Sequence, residues 1–229
     1  MNFLSELHTA DLMALGFFIF GWILLEYVID YSKFSSKSLG GLMADRRQDW
    51  MMVMAERDLR IVDTSIMSGL LQGTAFFASA SILAIGGCFA LLGSTEVVLQ
   101  VYKDLPVGVS VSRIQWEIKI LGLALLFVYT FFKFGWAFRL FNYSGILLGA
   151  VPPIQNATAD LRREKALKAA AMNAIAGRHF TSGLRGLFLA LGYLGWFVGP
   201  LMFFICTVFV FLVLIRRQYF SRSRRVLLD

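Results

Sequence analysis

Four long apolar runs, separated by polar and charged connections, dominate the pattern of the chain. They cover residues 12–29, 66–92, 118–138 and 187–215. About 20 apolar helical residues cross the roughly 30 Å hydrocarbon core of a bilayer. The pattern therefore predicts an all-α integral membrane bundle of about four transmembrane helices, forming a single domain. The fourth run has 29 residues, so it must tilt, protrude, or bend at Gly199 and Pro200.

Two of the connections also have helical patterns. Residues 41–63 mix charges with Trp50 and several methionines, and they contain no proline. Residues 158–176 begin with Thr158 as a candidate N-cap, continue as an alanine-rich segment and end near Gly177. N-cap and propensity rules favour a helix in this second connection. We therefore predict two cytoplasmic amphipathic helices that lie against the membrane or the bundle.

Composition and charge restrict the classes of protein. Hydrophobic residues make up 58% of the 229 residues and charged residues 16%, and the mean hydropathy is +0.67. These values exclude nearly every soluble enzyme class. The net charge of +7 comes from residues between the apolar runs, which favours anionic lipid headgroups over nucleic acid as the partner. No metal site, cofactor or catalytic motif is predicted, and Cys88 and Cys206 form no metal-binding pattern.

The distribution of lysine and arginine predicts the orientation. The three connections carry six, two and seven of these residues, and none precedes the first run. The positive-inside rule then places the first and third connections in the cytoplasm and the N-terminus in the periplasm of a bacterial inner membrane. Five arginines in the tail disagree with four crossings. Either the tail is outside, or the fourth run re-enters, or one span is miscounted.

Charged residues near the cytoplasmic ends of two helices form a candidate cluster. Glu26 and Asp30 are spaced i, i+4 on the first helix, and Lys133 and Arg139 lie near the end of the third. Because these helices run parallel and Glu26 and Lys133 lie at similar depth, we predict that this pair meets directly or through water. The cluster is either structural, including interfacial snorkelling, or a transport or proton site.

Two glycine pairs are candidates for close helix packing. Gly69 and Gly73 lie in the second run, and Gly195 and Gly199 lie in the fourth. The GxxxG spacing lets two backbones approach. The contact is either within one chain or between copies in a homo-oligomer.

Several longer motifs together resemble a known family. They are ADRRQDWMMVMAERDLRIVDTSIM, FFASASILAIGG, KFGWAFRLFNY and NAIAGRHFTSGLRGLFLALGYLGWFVGP. They are similar to the multi-span bacterial membrane family catalogued as domain of unknown function 599, over roughly residues 12–223. The resemblance implies a helical membrane protein and no particular activity. The matching polar positions are Arg47, Trp50, Arg57, Asp58, Arg60, Asp63, Trp136, Arg139, Asn142, Asn173, Arg178 and Trp196.

All of these positions except Trp196 lie in or beside the cytoplasmic connections. They indicate either a site on that side or salt bridges that fix the connecting helices to the bundle. Three functions follow from this pattern: a self-associating channel or transporter-like protein, an accessory or scaffold subunit of a larger membrane complex, and a membrane enzyme. The first requires Gln72, Thr74 and Lys133 to face one cavity. The second requires an exposed interface, and the third requires a pocket of convergent titratable groups.

Overall fold

The structure, a computed structural model, describes residues 8–104 and 112–228, and helices form nearly all of this part of the chain. Four of the helices are long and apolar enough to cross a membrane; they are α1, α3, α5 and α7. The described residues contain eight α-helices: α1 Thr9–Asp30, α2 Leu39–Ala55, α3 Ile61–Gly93, α4 Thr95–Asp104, α5 Arg113–Gly149, α6 Ala159–Tyr193, α7 Pro200–Tyr219 and the short α8 Arg222–Arg225.

Polar side chains cap the helices that begin in the connections. Ser38 accepts a hydrogen bond from the Gly41 amide at the start of α2. Ser112 forms a capping box with Gln115 at the start of α5. Thr158 caps α6, as the sequence predicts, by accepting from the amide of Leu161. Each cap gives a partner to an amide that the helix itself leaves unpaired.

Helix α5 is the central element, and α3 and α6 pack along it. Helix α6 is antiparallel to α5. Near the end of α5, the Ser144 hydroxyl donates to the carbonyl oxygen of Ala169. Near its start, the Lys119 ammonium donates to the carbonyl oxygen of Trp196, just beyond α6. The 35 residues of α6 extend about 52 Å, so α6 follows α5 through the whole bundle.

Helices α1 and α7 run parallel on another side of α6. The rings of Phe17 and Phe204 are 4.7 Å apart near their starts, and Tyr219 donates to the carbonyl oxygen of Val28 near their ends. Five helices, α1, α3, α5, α6 and α7, therefore run along the bundle, with α3 and α6 opposite in direction to the other three.

We call the two ends of this bundle the basic end and the opposite end. The basic end holds residues 31–60 and 150–158 together with α8. The Arg224 side chain donates to the carbonyl oxygen of Lys37, at 2.7 Å, and Arg60 donates to the carbonyl oxygens of Leu148, Val151 and Pro152. The opposite end holds the start of α1, the start of α5 and residues 194–199. The tail thus lies beside the first connection.

The structure corrects the predicted helix near 158–176 and the predicted span 187–215. The first continues through Gly177 to Tyr193, and the second contains a reversal at residues 194–199 before α7 starts at Pro200. One interior glycine costs a helix only about 1 kcal/mol. Proline has no amide hydrogen and suits the first turn of a new helix. A bend at Gly199 and Pro200, one of the predicted alternatives, is confirmed as this reversal.

The predicted helix at 41–63 is also wrong in its bounds. Helix α2 ends at Ala55, and α3 begins at Ile61 rather than at residue 66. The carboxylate of Asp63 accepts hydrogen bonds from Trp50 and Arg57, at 2.7 and 2.9 Å. These contacts fold the start of α3 back against α2, so the chain turns at residues 56–60 instead of remaining helical.

The two glycine pairs have different environments. A Cβ at Gly195 would lie 2.9 Å from the carbonyl oxygen of Met202 and 3.0 Å from the sulfur of Cys206. Gly195 therefore serves packing within the chain, and Gly199 lies in the same reversal. Among the described residues, no atom lies within 4 Å of a Cβ at Gly69 or Gly73. Gly69 and Gly73 therefore lie on a face of α3 that the described part of the chain leaves uncovered.

Candidate functional site

A buried arginine connects both acidic residues of the first span to α6. The Arg185 Nε donates to the Glu26 carboxylate at 3.1 Å, and its Nη2 donates to the carboxylate of Asp30. The Ser182 hydroxyl, one turn earlier on α6, lies 3.1 Å from both carboxylate oxygens of Glu26. The Arg185 side chain is only 2% exposed. An isolated charge at such depth is costly, and two acids compensate it here.

The direct form of the predicted contact between Glu26 and Lys133 is wrong, because within the described chain the ion-pair contact of Glu26 is with Arg185; a contact through water stays a prediction. The Lys133 ammonium instead lies 5.2 Å from the centre of the Tyr129 ring. The sequence pattern assigns Arg185 to the third connection, since an apolar run begins only at Leu187. The signal that identifies it is its position one turn after Ser182 and directly before the apolar end of α6.

The other predicted members of the charge cluster point away from it. Arg139 and Asn142 are exposed on the surface of α5. The Arg139 Nε donates to the Tyr143 hydroxyl at 2.7 Å, and the guanidinium lies over the Trp136 ring. Amphipathic contacts of this kind are typical of a membrane–water interface.

Beside the Arg185 cluster lies a cavity of about 520 Å³, which we call the basic-end cavity. It is enclosed by the end of α1, the start of α2, the middle of α6 and the end of α7. Its lining includes three arginines and one aspartate, a formal charge of +2. Its charged and polar lining residues are Asp30, Ser35, Ser36, Ser38, Arg47, Arg178, Thr181, Arg185 and Gln218.

A second cavity of about 230 Å³ shares Asp30 and Arg178 with the first. It is also lined by Lys133, His179 and Ser182, so it contains the predicted residue Lys133. Asp30 and Arg178 therefore lie where two polar cavities at the basic end adjoin.

Helix α2 is fixed to the bundle by a buried amide. Arg47 donates to the side-chain oxygen of Asn173, and the Asn173 amide donates to the Ser144 hydroxyl at 3.2 Å. A Cβ at Gly177 would lie 3.1 Å from the Arg47 guanidinium, so this glycine makes room for Arg47. Burial lowers the pKa of the Arg47 guanidinium from its ordinary value. Among the predicted residues, Arg47, Asn173 and Arg178 thus belong to the cavity or its support.

Other predicted residues of the first connection anchor it to the bundle. Arg57 forms an ion pair with the fully buried Asp63, and Asp58 accepts a 3.3 Å hydrogen bond from Gln155. Arg60 caps the carbonyls at the end of α5. These contacts match the alternative in which the residues fix the connecting helices to the bundle.

A second buried polar group occupies the opposite end. Trp196 Nε1 donates to the carboxylate of Asp11 at 2.6 Å, and Lys119 donates to the carbonyl oxygen of Trp196 at 2.9 Å. The Tyr193 hydroxyl donates to the carbonyl oxygen of Lys119. The group joins α1 and α5 to the reversal after α6. Sequence reasoning did not find Asp11 or Lys119 as buried charges.

The residues predicted to line a channel do not meet. Gln72 is exposed on α3, and the buried Thr74 donates to the carbonyl oxygen of Leu70 in its own helix. Of the three, Lys133 alone lines one of the two basic-end cavities. Within the described residues, no group of three or more metal-ligating side chains is found.

Comparison with known proteins identifies a family. The family model described as "Protein of unknown function, DUF599" matches residues 13–223 of the chain. Neither the curated proteins nor the solved structures contain a match to this chain.

Proposed function

Because the chain belongs to the DUF599 family, whose function is unknown, we propose from its geometry that it is a non-enzymatic, transporter-like membrane protein. Its solute site is the basic-end cavity. The observation that carries the proposal is Arg185, which is buried, ion-paired to Glu26 and Asp30, and part of the lining of that cavity. Ionisable residues inside a membrane bundle commonly mark a solute or ion pathway.

The shape of the molecule supports binding from one side. The cavity reaches the surface of the basic end at Ser36 and Arg178, which are exposed. Toward the opposite end, the rings of Phe18, Tyr193 and Phe203 lie within 5.3–5.7 Å of one another. A packed aromatic cluster of this kind closes the bundle beyond the cavity. The arrangement is that of a carrier open to one side.

By the positive-inside rule, we place the basic end on the cytoplasmic side of a bacterial inner membrane. In this proposal α6 is a fifth crossing, so the five tail arginines lie on the same side as the two basic connections. Anionic lipid headgroups are the partners of the exposed basic residues.

Two alternatives each have one supporting observation. Asp30, Arg178 and His179 meet around the smaller cavity, and convergent titratable groups are what a membrane enzyme requires. The uncovered face of α3 suits an accessory subunit of a larger complex. The same face suits self-association, which we include in the leading proposal.

Cysteine accessibility tests the transporter-like function without knowledge of the solute. Ala174 lines the basic-end cavity, so Ala174→Cys is made in a chain whose native Cys88 and Cys206 are replaced by alanine. A carrier must expose its cavity to each side in turn. We expect fast labelling by a membrane-impermeant maleimide from the basic side and slower labelling from the other side.

Two control positions define the sides in sealed vesicles. Lys168→Cys lies at the surface of the basic end, and Arg113→Cys lies at the surface of the opposite end; each should react from one side alone. If Ala174→Cys reacts solely from the basic side, as Lys168→Cys does, the protein is not a carrier and the enzyme or scaffold alternatives take its place.

A further inference from the structure

One wall of the basic-end cavity is the start of a helix. Residues 35–41 form a short helical turn followed by the first turn of α2, and all of them except Lys37 line the cavity. The segment contains Ser35, Ser36 and Ser38, and two glycines occupy the first turn of α2. The first amides of a helix lack intrahelical acceptors and carry the positive end of the helix dipole; in α2 the amide of Gly41 is capped by Ser38, and those of Leu39 and Gly40 precede it. Such a helix start binds phosphate and other anions.

An independent observation on α6 also indicates an anion. The Nη1 atom of Arg185 is buried and has no hydrogen-bond partner among the described residues, although Nε and Nη2 are both paired. Burying a charged donor without an acceptor is costly. Arg185 lines the same cavity as the start of α2, so this unpaired donor belongs to a residue of the cavity wall.

Positive charges outnumber negative charges in the lining of the cavity. Arg47 and Arg178 add two guanidinium groups to its lining, against the single carboxylate of Asp30. That carboxylate is already held by Arg185. If Glu26, which lies behind Arg185, is counted as well, the three arginines and two acids still carry a formal charge of +1. Guanidinium groups pair with phosphate oxygens through two parallel hydrogen bonds.

We propose that the basic-end cavity binds the phosphate group of a phosphomonoester, between the first turn of α2 and Arg47, Arg178 and Arg185. This inference rests on the proposed solute cavity and names the chemistry of its ligand. The volume of about 520 Å³ exceeds that of a phosphate and is in the range of small-molecule sites. Ala171, Ala174 and Phe180 in the lining provide apolar surface for the organic part. That part belongs either to a soluble metabolite or to a lipid such as phosphatidic acid.

Binding is measured on the full chain in phosphatidylcholine nanodiscs, with inorganic phosphate as the first probe and phosphatidic acid, incorporated in the nanodisc, as the second. Arg178 is exposed at the cavity and forms no ion pair in the described chain, so Arg178→Gln should fold. We expect it to weaken binding about tenfold, the effect of losing one charge-assisted contact. The matched control is Arg163→Gln, which removes the same charge from α6 outside the cavity and should change binding less than twofold.

The two probes distinguish the sources of the phosphate. Saturable binding of inorganic phosphate indicates a soluble ligand, whereas retention of phosphatidic acid over phosphatidylcholine in native mass spectrometry indicates a lipid. The inference is overturned if neither probe binds, or if Arg178→Gln and Arg163→Gln weaken binding equally.

The same variants separate this inference from the proposed function. Phosphate binding without access to Ala174→Cys from the opposite side supports the site and contradicts transport. If Ala174→Cys is labelled from both sides and neither inorganic phosphate nor phosphatidic acid slows the labelling, the phosphate site is contradicted and transport remains supported.

Discussion

Arg185 determines how α1 is held against α6. It contacts two acids that are one helical turn apart, so a single guanidinium fixes both the rotation and the depth of α1. Removing one partner of a buried ion pair leaves an uncompensated charge, which typically costs about 3–5 kcal/mol. The contact therefore makes a structural contribution in addition to any role in the cavity.

A double-mutant cycle tests this pairing. Arg185→Gln leaves Glu26 and Asp30 without their cation, so we expect it to lower the free energy of unfolding by about 3–5 kcal/mol. Glu26→Gln should cost less, because Asp30 still holds Arg185. In the double variant we expect a coupling of about 0.5–3 kcal/mol, measured by unfolding in detergent. The matched cycle of Glu26→Gln with Lys133→Gln should give no coupling above about 0.5 kcal/mol; the reverse pattern contradicts the assignment.

The acids of this cluster could be predicted from the sequence, but their partner could not. The i, i+4 spacing of Glu26 and Asp30 in an apolar run identifies one polar helix face. Depth matching between the first and third apolar runs, which lie in α1 and α5, favours Lys133, because the pattern assigns Arg185 to a connection. Arg185 stands just before an apolar run, so hydropathy places it at the end of a connection. Its helix began 26 residues earlier, at Ala159, and this continuity places Arg185 deep in the bundle.

The sequence pattern also fails to predict α6 as one continuous helix. Its first half is polar and alanine-rich and its second half is apolar, so the sequence pattern divides it into a connecting helix and part of a span. Packing against α5 along its whole length joins the two halves. The other long helices were predictable because each is apolar throughout a span-length segment.

The uncovered face of α3 leads to a prediction about self-association. Leucine at both Gly69 and Gly73 adds side chains where no described atom lies within 4 Å. We expect the double substitution to weaken an oligomer through loss of close backbone approach, with monomer stability little changed. Native mass spectrometry measures the oligomer. Gly16→Leu on α1, where space is equally open, is the control; an oligomer unaffected by either change places the interface elsewhere.

In the whole molecule, five helices along one bundle put the first connection, the third connection and the tail at one end. The contact of Arg224 with the carbonyl of Lys37 joins the tail to the first connection. The disagreement in the count of charges thus follows from treating residues 187–215 as one span. The number of helices along the bundle depends on the reversal at residues 194–199, whereas the orientation from the lysine and arginine counts stays a prediction.

Labelling of intact cells tests this topology. With native cysteines replaced, Lys37→Cys, Lys165→Cys and Arg225→Cys should all be protected from an impermeant maleimide added outside, because we place the basic end in the cytoplasm. Arg113→Cys should react. Reaction at Arg225 alone contradicts the fifth crossing, and reaction at all three basic-end positions reverses the orientation.

The distance along the chain between Arg185 and its two acids has a consequence for biogenesis. Helix α6 carries Arg178 and Arg185 and is not among the helices apolar enough to enter a bilayer by composition. Glu26 and Asp30 are synthesised more than 150 residues earlier. In the proposed topology with α6 as the fifth crossing, Arg185 enters the bilayer already neutralised only if α1 stays beside the insertion site while α3 and α5 are inserted. The first helix must then remain available until the sixth helix has been synthesised.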